Sequence, residues 1–242
     1  MTTSTSQKTI GLIGGMSWES SAEYYRLINT GIKARLGGHN NAKSLMVTVN
    51  FEHIKTLQHA EQWDQLACEM AEAARSLQAG GADFIVLCTN TMHKVWTAIE
   101  DAVEIPALHI ADPTAAAIKH SGYSKVGLLG TRFTMEQDFY RGRLEKLHDL
   151  EVIVPSDTDR DLVHSVIYDE LCHGNINASS RQQFQRVIQD LKAQGAQCVI
   201  LGCTEIMLLI AQNDSALPVF DTTALHVAAA IDAALDASPN SK

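Results

Sequence analysis

The chain carries the same pattern twice. Gly81-Ala82-Asp83-Phe84-Ile85-Val86-Leu87-Cys88-Thr89-Asn90 parallels Gly195-Ala196-Gln197-Cys198-Val199-Ile200-Leu201-Gly202-Cys203-Thr204, so that Thr89 falls on Cys203. Ile10-Gly11-Leu12-Ile13-Gly14 matches Val126-Gly127-Leu128-Leu129-Gly130 in the same order. Ile105-Pro106 and Leu217-Pro218 each lead into an Ala-Ala-Ala-Ile run, at 115–118 and 228–231. Ordered landmarks at a nearly constant offset of about 115 residues mark an internal duplication. With 242 residues there is room for two domains of about 100–150 residues, each with its own core. Two similar α/β units facing each other would put one reactive group on each side of a shared cleft, a geometry suited to chemistry on both faces of one carbon.

Within each half, apolar runs alternate with helical patterns. Thr9–Gly14 reads as a buried strand and Ser20–Leu36 as a helix with Tyr24, Leu27, Ile28 and Ile32 inward. Leu45–Phe51 reads as a strand, and Trp63–Leu77 as a helix burying Leu66, Met70, Ala73, Ala74 and Leu77. Phe84–Leu87 is a second buried strand, followed by a helix from Val95 to Val103. The second half repeats the order, with strands at 125–129, 151–154 and 198–201 and helical patterns at 135–147, 159–173, 179–194 and from 205. This βαβα alternation predicts an α/β fold of two pseudo-symmetric, Rossmann-like domains with mostly parallel sheets. The proline-containing segments at 104–112 and 215–222 are the candidate crossovers, with the last helix returning to the first domain. The expected division is 1–106 plus 216–242 for the N-terminal domain and 107–215 for the C-terminal one.

Composition narrows the function. A net charge of −9 without a basic cluster argues against nucleic-acid partners. Residues 1–7 lack the apolar core of a signal peptide, and no run approaches the roughly 18 apolar residues of a membrane span. Five cysteines without framework spacing read as free thiols in a cytoplasmic protein. His109 and His226 form no metal-ligand cluster with Cys or acidic residues, so no metal is expected.

In doubly wound sheets, ligands bind at the carboxyl ends of the strands. Gly11-Leu12-Ile13-Gly14-Gly15-Met16-Ser17 only superficially resembles a dinucleotide fingerprint, because it is not G-x-G-x-x-G. It reads instead, with Gly130-Thr131-Arg132, as a small-residue turn that lets a small ligand approach the backbone. Thr89 and Cys203 each sit where a strand gives way to a helix. A thiol there feels unpaired N–H groups and a positive dipole end, so its pKa is expected to fall below about 8.5. The N–H groups of Asn90, Thr91 and Thr204 could hold a carboxylate. Glu205 complements the helix start and helps position the site, whereas Cys198 in its strand and Cys68 in its helix read as packing residues.

Four ordered segments, Gly14-Gly15-Met16-Ser17, Thr89-Asn90-Thr91-Met92-His93, Leu129-Gly130-Thr131 and Gly202-Cys203-Thr204-Glu205, resemble the signature segments of the aspartate/glutamate racemase family over residues 8–231. Met16-Ser17-Trp18-Glu19-Ser20 with Cys88-Thr89-Asn90-Thr91-Met92-His93 is similar to its YgeA-type, broad-specificity branch. The resemblance implies two Rossmann-like domains, an interdomain cleft, no cofactor, a small amino-acid substrate, a homodimer, and racemisation by two groups on opposite faces of Cα. Carried over by position, the catalytic candidates are Cys203, Thr89 and Cys88. The substrate-binding candidates are Met16, Ser17, Asn90, Thr91, Thr131, Thr204 and Glu52.

The family's Cys-Asn-Thr motif reads Thr89-Asn90-Thr91 here, with Cys88 displaced by one residue. A Thr hydroxyl can donate a proton but is a very poor base without an activator. Three solutions stay open: Cys88 substitutes through a backbone shift, a neighbour deprotonates Thr89, or one direction is slow. Strand alternation favours Thr89 facing the cleft and Cys88 the core. In acidic-substrate members a Lys in a segment resembling Ile167-Tyr168-Asp169-Glu170-Leu171-Cys172-His173-Gly174 binds the distal carboxylate, and that position is Cys172 here. An Arg in the loop after the second strand also has no clear equivalent in Asn50-Phe51-Glu52-His53-Ile54. These departures favour neutral or broad substrates over a strict aspartate enzyme, with His93, Lys94 and Arg132 as possible compensating groups. The alternatives are a single-thiol decarboxylase or isomerase of the same superfamily, and a non-enzymatic amino-acid-binding protein.

Overall fold

The computed structural model describes residues 7–236. The N-terminal stretch read as lacking a signal core lies, apart from Gln7, outside the described residues. In chain order the elements are β1 (Ile10–Gly14), α1 (Trp18–Leu36), β2 (Ser44–Thr48), α2 (Phe51–His59), α3 (Trp63–Ala79), β3 (Phe84–Leu87), α4 (Trp96–Glu100), β4 (Ala107–Leu108), α5 (Ala111–His120) and β5 (Lys125–Gly130). There follow α6 (Arg132–Glu136), α7 (Asp138–His148), β6 (Glu151–Ile153), α8 (Asp157–Asp169), α9 (Ala178–Ala193), β7 (Cys198–Gly202), α10 (Ile206–Leu209), β8 (Val219–Asp221) and α11 (Thr222–Leu235). Short 3-10 turns occupy Thr91–Val95, Leu171–His173 and Gln212–Asp214.

The strands form two four-stranded, all-parallel sheets of identical topology, β2-β1-β3-β4 and β6-β5-β7-β8. The duplication read from the sequence is therefore a duplication of the fold. Residues β1 and β3 are buried throughout and apolar but for glycine, as central parallel strands covered on both faces must be. The edge strand β2 is only half-buried.

The first unit runs to Cys88, takes in Val95–Leu108, and resumes at His226. Its core joins Ile10, Leu12, Phe84, Val86 and Cys88 of the sheet to Tyr24, Ile28 and Ile32 of α1 and to Val227, Ala230, Ile231 and Ala234 of α11. The last helix thus returns to this unit, as expected. Its buried His226 ties three elements together: Nε2–H donates to the Leu108 carbonyl (2.8 Å), and Nδ1 accepts from the Tyr24 hydroxyl (3.0 Å). All five α3 positions expected inward are buried. Gly15 is required at the end of β1, because its φ is +96° and a Cβ there would come within 2.3 Å of the Val49 carbonyl oxygen.

The second unit comprises Thr89–Lys94 and His109–Leu225. Its core packs Val126, Leu128 and Leu129 of β5 and Val199, Ile200 and Leu201 of β7 against Tyr140, Leu144, Val163, Ile167, Phe184, Val187, Ile188 and Leu191 from the helices. The paired strand ends Gly130 and Gly202 are in register. A Cβ on Gly202 would lie 2.9 Å from the Leu129 carbonyl oxygen, so glycine lets β5 and β7 close on each other.

The division differs from the expected breaks at 106/107 and 215/216. Each segment read as a crossover contains a short edge strand that stays with its sheet: Ala107 and Leu108 pair with Ile85 and Val86, and Val219–Asp221 pair with Val199–Leu201. The chain leaves each unit after that strand, not before it. Other differences are local. The strand expected over Leu45–Phe51 stops at Thr48, because Asn50 caps α2 by accepting from the His53 N–H (3.3 Å). Gln137, extended at φ −93° and ψ 151°, breaks the helix expected over 135–147 into α6 and α7. The helix expected from Val95 begins as the 3-10 turn, and the one expected from 205 is the four-residue α10.

Candidate active site

The chemistry-bearing residues of the second unit collect at the carboxyl ends of β5 and β7 and on the Thr89–Lys94 segment. Thr131 follows β5 and caps α6, its Oγ1 accepting from the Thr134 N–H (3.3 Å). Cys203, Thr204 and Glu205 follow β7. The Thr89–Lys94 segment is stitched to them by buried side chains. Thr91 Oγ1 and Thr131 Oγ1 are 3.0 Å apart, Asn90 Nδ2 donates to Thr222 Oγ1 (3.2 Å), and Thr222 Oγ1 donates to the Leu201 carbonyl (2.8 Å). His93 fixes the backbone: its Nδ1–H donates to the Thr89 carbonyl (2.8 Å), while Nε2 accepts from the Ile110 N–H (3.2 Å). This pattern defines one neutral tautomer.

The structure brings Thr89, Asn90, Thr91, Thr131, Cys203 and Thr204 into the same unit, all of them buried. Buried in the core, Asn90 Oδ1 has no protein partner among the described residues, leaving a desolvated acceptor that a ligand N–H could satisfy. Met16, Ser17 and Glu52 belong to the first unit. Met16 is buried, and Ser17 caps α1, its Oγ accepting from the Ser20 N–H (3.3 Å) while its carbonyl accepts from Ser20 Oγ and Ser21 Oγ. Glu52 lies on the exposed side of α2, its side chain 76% exposed and paired with Lys55 (2.8 Å), so it belongs to solvent and not to a buried cluster. Cys88 points into the first core, fully buried among Ile10, Leu12 and Val86, and burial alone pushes its thiol pKa far up. Two adjacent residues are thus separated: Cys88 packs in the first core, and Thr89, also buried, belongs to the second unit and is tied to His93 through its carbonyl.

Cys203 corrects the electrostatic expectation. Its thiol pKa is raised well above the ordinary value, first by burial, then by the neighbouring charge of Glu205 and by Cys172, and by the bond in which Sγ–H donates to Glu205 Oε2 at 3.0 Å. The four-residue α10 offers too little dipole to offset a carboxylate in direct contact. Thr204 Oγ1 donates to the same Glu205 oxygen at 2.8 Å. Tyr168 shares this environment, its pKa raised by burial and then by Cys203, Cys172 and Glu205. The His164 ring lies 4.8 Å from Tyr168, and its Nδ1 accepts from the Arg132 N–H (3.2 Å).

The sequence reading did not place Tyr168 or His164 here, and it gave Glu205 only a supporting part. Glu205 was findable, since a carboxylate two residues beyond a buried thiol is bound to perturb it. Tyr168 and His164 come from α8, with no sequence proximity to β7 to announce them. Two of the groups considered for a distal carboxylate are engaged: Arg132 with Asp161 and Glu136, and both ring nitrogens of His93 as described.

Two units of identical sheet order, with a buried polar cluster at the strand ends of the second, set the chain beside a known family. The sequence profile of the Asp/Glu/hydantoin racemases aligns with residues 13–230. The chain belongs to the Asp/Glu/hydantoin racemase family. This family member is 27% identical over 161 residues to the broad specificity amino-acid racemase RacX of Bacillus subtilis, covering 66% of this chain and 69% of that protein. It superposes on a Yersinia pestis structure whose Asp/Glu racemase name is provisional, at 55% identity and a TM-score of 0.88, covering 94% of this chain and 99% of the other. An aspartate racemase homologue from Pyrococcus horikoshii OT3 is 33% identical, with a TM-score of 0.79 and the same coverage. In this racemase-family chain the two repeats are chemically unequal: a hydroxyl stands at position 89 where a thiol stands at 203.

Proposed function

We propose that this protein is a cofactor-independent amino-acid racemase in which Cys203 and Thr89 serve opposite faces of Cα. The observation that carries the reading is the buried Cys203 thiol, hydrogen-bonded to Glu205 at the end of β7, at the repeat position equivalent to Thr89. An amino-acid Cα–H is weakly acidic, so removing its proton requires exclusion of water, neutralisation of the carboxylate and a base held in contact. Burial of Cys203, Thr89 and their neighbours supports the first requirement. The backbone N–H groups of Asn90, Thr91 and Thr204 supply the second, and Asn90 Oδ1 suits the substrate ammonium. In one direction the Cys203 thiolate takes the Cα proton and Thr89 Oγ1–H delivers its own to the other face; the reverse exchanges the roles. Cys88 takes no part.

The surroundings of Cys203 also bear on the substrate. Tyr168, Cys172 and Glu205 offer no positive charge to a distal carboxylate, and Glu205 would repel one. We therefore assign a broad range in which neutral side chains are preferred. The homodimer implied by the family resemblance and the cytoplasmic setting read from the free cysteines belong to the same proposal. Proton NMR of separate L- and D-amino acids in D2O, without pyridoxal phosphate, tests it. Loss of the Cα–H signal with appearance of the other enantiomer is expected, faster for homoserine, alanine or serine than for aspartate or glutamate, and abolished in Cys203→Ser. Stabilisation by an amino acid without any Cα exchange would leave a binding protein instead. One observation favours a second reading: with Cys88 in the core, the duplicated strand ends carry a thiol at position 203 and none at position 89, as a single-thiol decarboxylase would require. Release of CO2 from an arylmalonate, with no Cα exchange in amino acids, would establish that alternative.

A further inference from the structure

We propose that His93 is a positioning residue for the second face of the reaction: by pinning the peptide between Thr89 and Asn90, its imidazole sets where the Thr89 hydroxyl stands. The inference rests on the racemase reading above and deepens it.

His93 lies at the centre of the Thr91–Val95 3-10 turn. The turn closes through the His93 backbone N–H, which donates to the Asn90 carbonyl (3.1 Å). The carbonyl one residue earlier, that of buried Thr89, is taken instead by the His93 ring, whose Nδ1–H donates to it at 2.8 Å. A peptide unit is planar, with its C=O and N–H pointing opposite ways, so holding this oxygen fixes the plane that joins Thr89 to Asn90. It thereby fixes the Cα from which the Thr89 hydroxyl projects and the direction of the Asn90 N–H. The ring is itself held in place. Nε2 accepts from the Ile110 N–H at the start of α5 (3.2 Å), the His109 ring packs across it at a centroid distance of 4.4 Å, and His93 is 2% exposed. A carbonyl can only accept and an N–H can only donate, so the one proton and the one lone pair of the neutral ring are both committed. His93 therefore acts through the backbone and is not an acid or base at Cα. Placement matters more on this side than at position 203. A C–O bond is shorter than a C–S bond, so the threonine hydroxyl reaches less far than a thiol, and a displaced backbone takes it out of contact. A misplacement of about 1 Å is worth about 100-fold in rate.

The test follows each enantiomer of homoserine, serine and alanine in D2O by proton NMR and scores two fates of the Cα–H. Wash-out without inversion needs Cys203 alone: for the enantiomer whose Cα–H faces the thiol, a proton leaves and a deuteron returns on the same face. Inversion needs Thr89 to deliver from the other face. Both fates start from one carbanion, so their ratio does not depend on how tightly substrate binds. Two variants divide the bonds of the ring. In His93→Asn the amide N–H stands in for Nδ1–H and keeps the Thr89 carbonyl; in His93→Gln the longer amide oxygen stands in for Nε2 and keeps the Ile110 N–H. Each forfeits one buried bond, so a merely structural role predicts that they behave alike. In His93→Gln the ratio of inversion to wash-out should fall about 100-fold, whereas in His93→Asn it should stay within a few-fold of wild type. Equal ratios in the two variants, or a His93→Gln ratio at the wild-type value, would overturn the proposal. Should His93→Gln fail to fold, His93→Asn decides alone: a retained ratio supports the proposal and a collapsed one overturns it. A wild type that exchanges no Cα–H removes the racemase reading and with it the step that His93 would serve. One that racemises while its variants behave alike removes only the part given to His93.

Discussion

At the scale of single residues, the decisive separation is between Cys88 and Thr89. The strand's two-residue repeat was enough to assign Cys88 to the core, where it lies fully buried, and that placement was legible in the sequence. The state of Cys203 was not. Sequence proximity to a helix start argued for a low pKa, whereas burial and a carboxylate at 3.0 Å drive it upward; both depend on side-chain packing that spacing does not encode. Cys203→Ser is expected to lower racemisation by about 100-fold or more, read by loss of the Cα–H signal in D2O. Cys88→Ser is expected to keep activity within a few-fold while losing about 1–3 kcal/mol in urea unfolding, because it buries a hydroxyl in an apolar core. An inactive but fully stable Cys88→Ser protein would return Cys88 to the chemistry.

At the scale of elements, the long periodic helices and central strands were readable because their burial patterns are extreme: α1, α3 and α9 each bury one face, and β1, β3, β5 and β7 are sheltered on both. The short pieces escaped. Strands β4 and β8, two and three residues long, are too brief to show a period, and α2 was hidden behind an asparagine cap. Caps and glycines should answer to substitution. Ser17→Ala removes the acceptor at the start of α1 and is expected to cost about 1 kcal/mol in thermal or urea unfolding. A second element-level effect concerns pH. Burial works against the Asp112 carboxylate on α5, but hydrogen bonds and charge from Arg143 (2.7 Å) and His148 (3.0 Å) outweigh it and hold its pKa below the usual range. A depressed carboxylate pKa contributes stability that is full above the unfolded value of about 3.9 and fades as pH falls through the folded one. Asp112→Asn should therefore flatten the acid limb of a plot of Tm against pH below about pH 4 and leave its slope near neutrality unchanged.

At the scale of the whole molecule, the duplication was the most informative thing in the sequence, and the paired sheet orders repeat it strand for strand. What it did not reveal was how unevenly the copies have been furnished: one strand end offers a hydroxyl, the other a thiol leaning on a carboxylate. The proposed homodimer is checked by sedimentation velocity, where twice the chain mass of 26.4 kDa is expected and a strictly monomeric species would remove that part of the reading. The proposed pair of unequal groups carries a kinetic signature of its own. Mirror-image substrates have equal free energies, so kcat/KM for the L-to-D and D-to-L directions must agree, however different the two groups at positions 89 and 203. The imbalance can surface only in kcat and KM together, both smaller in one direction by the same factor. Assayed with scarce amino acid, such a protein treats the two hands alike; flooded with it, the same protein looks like a one-way converter.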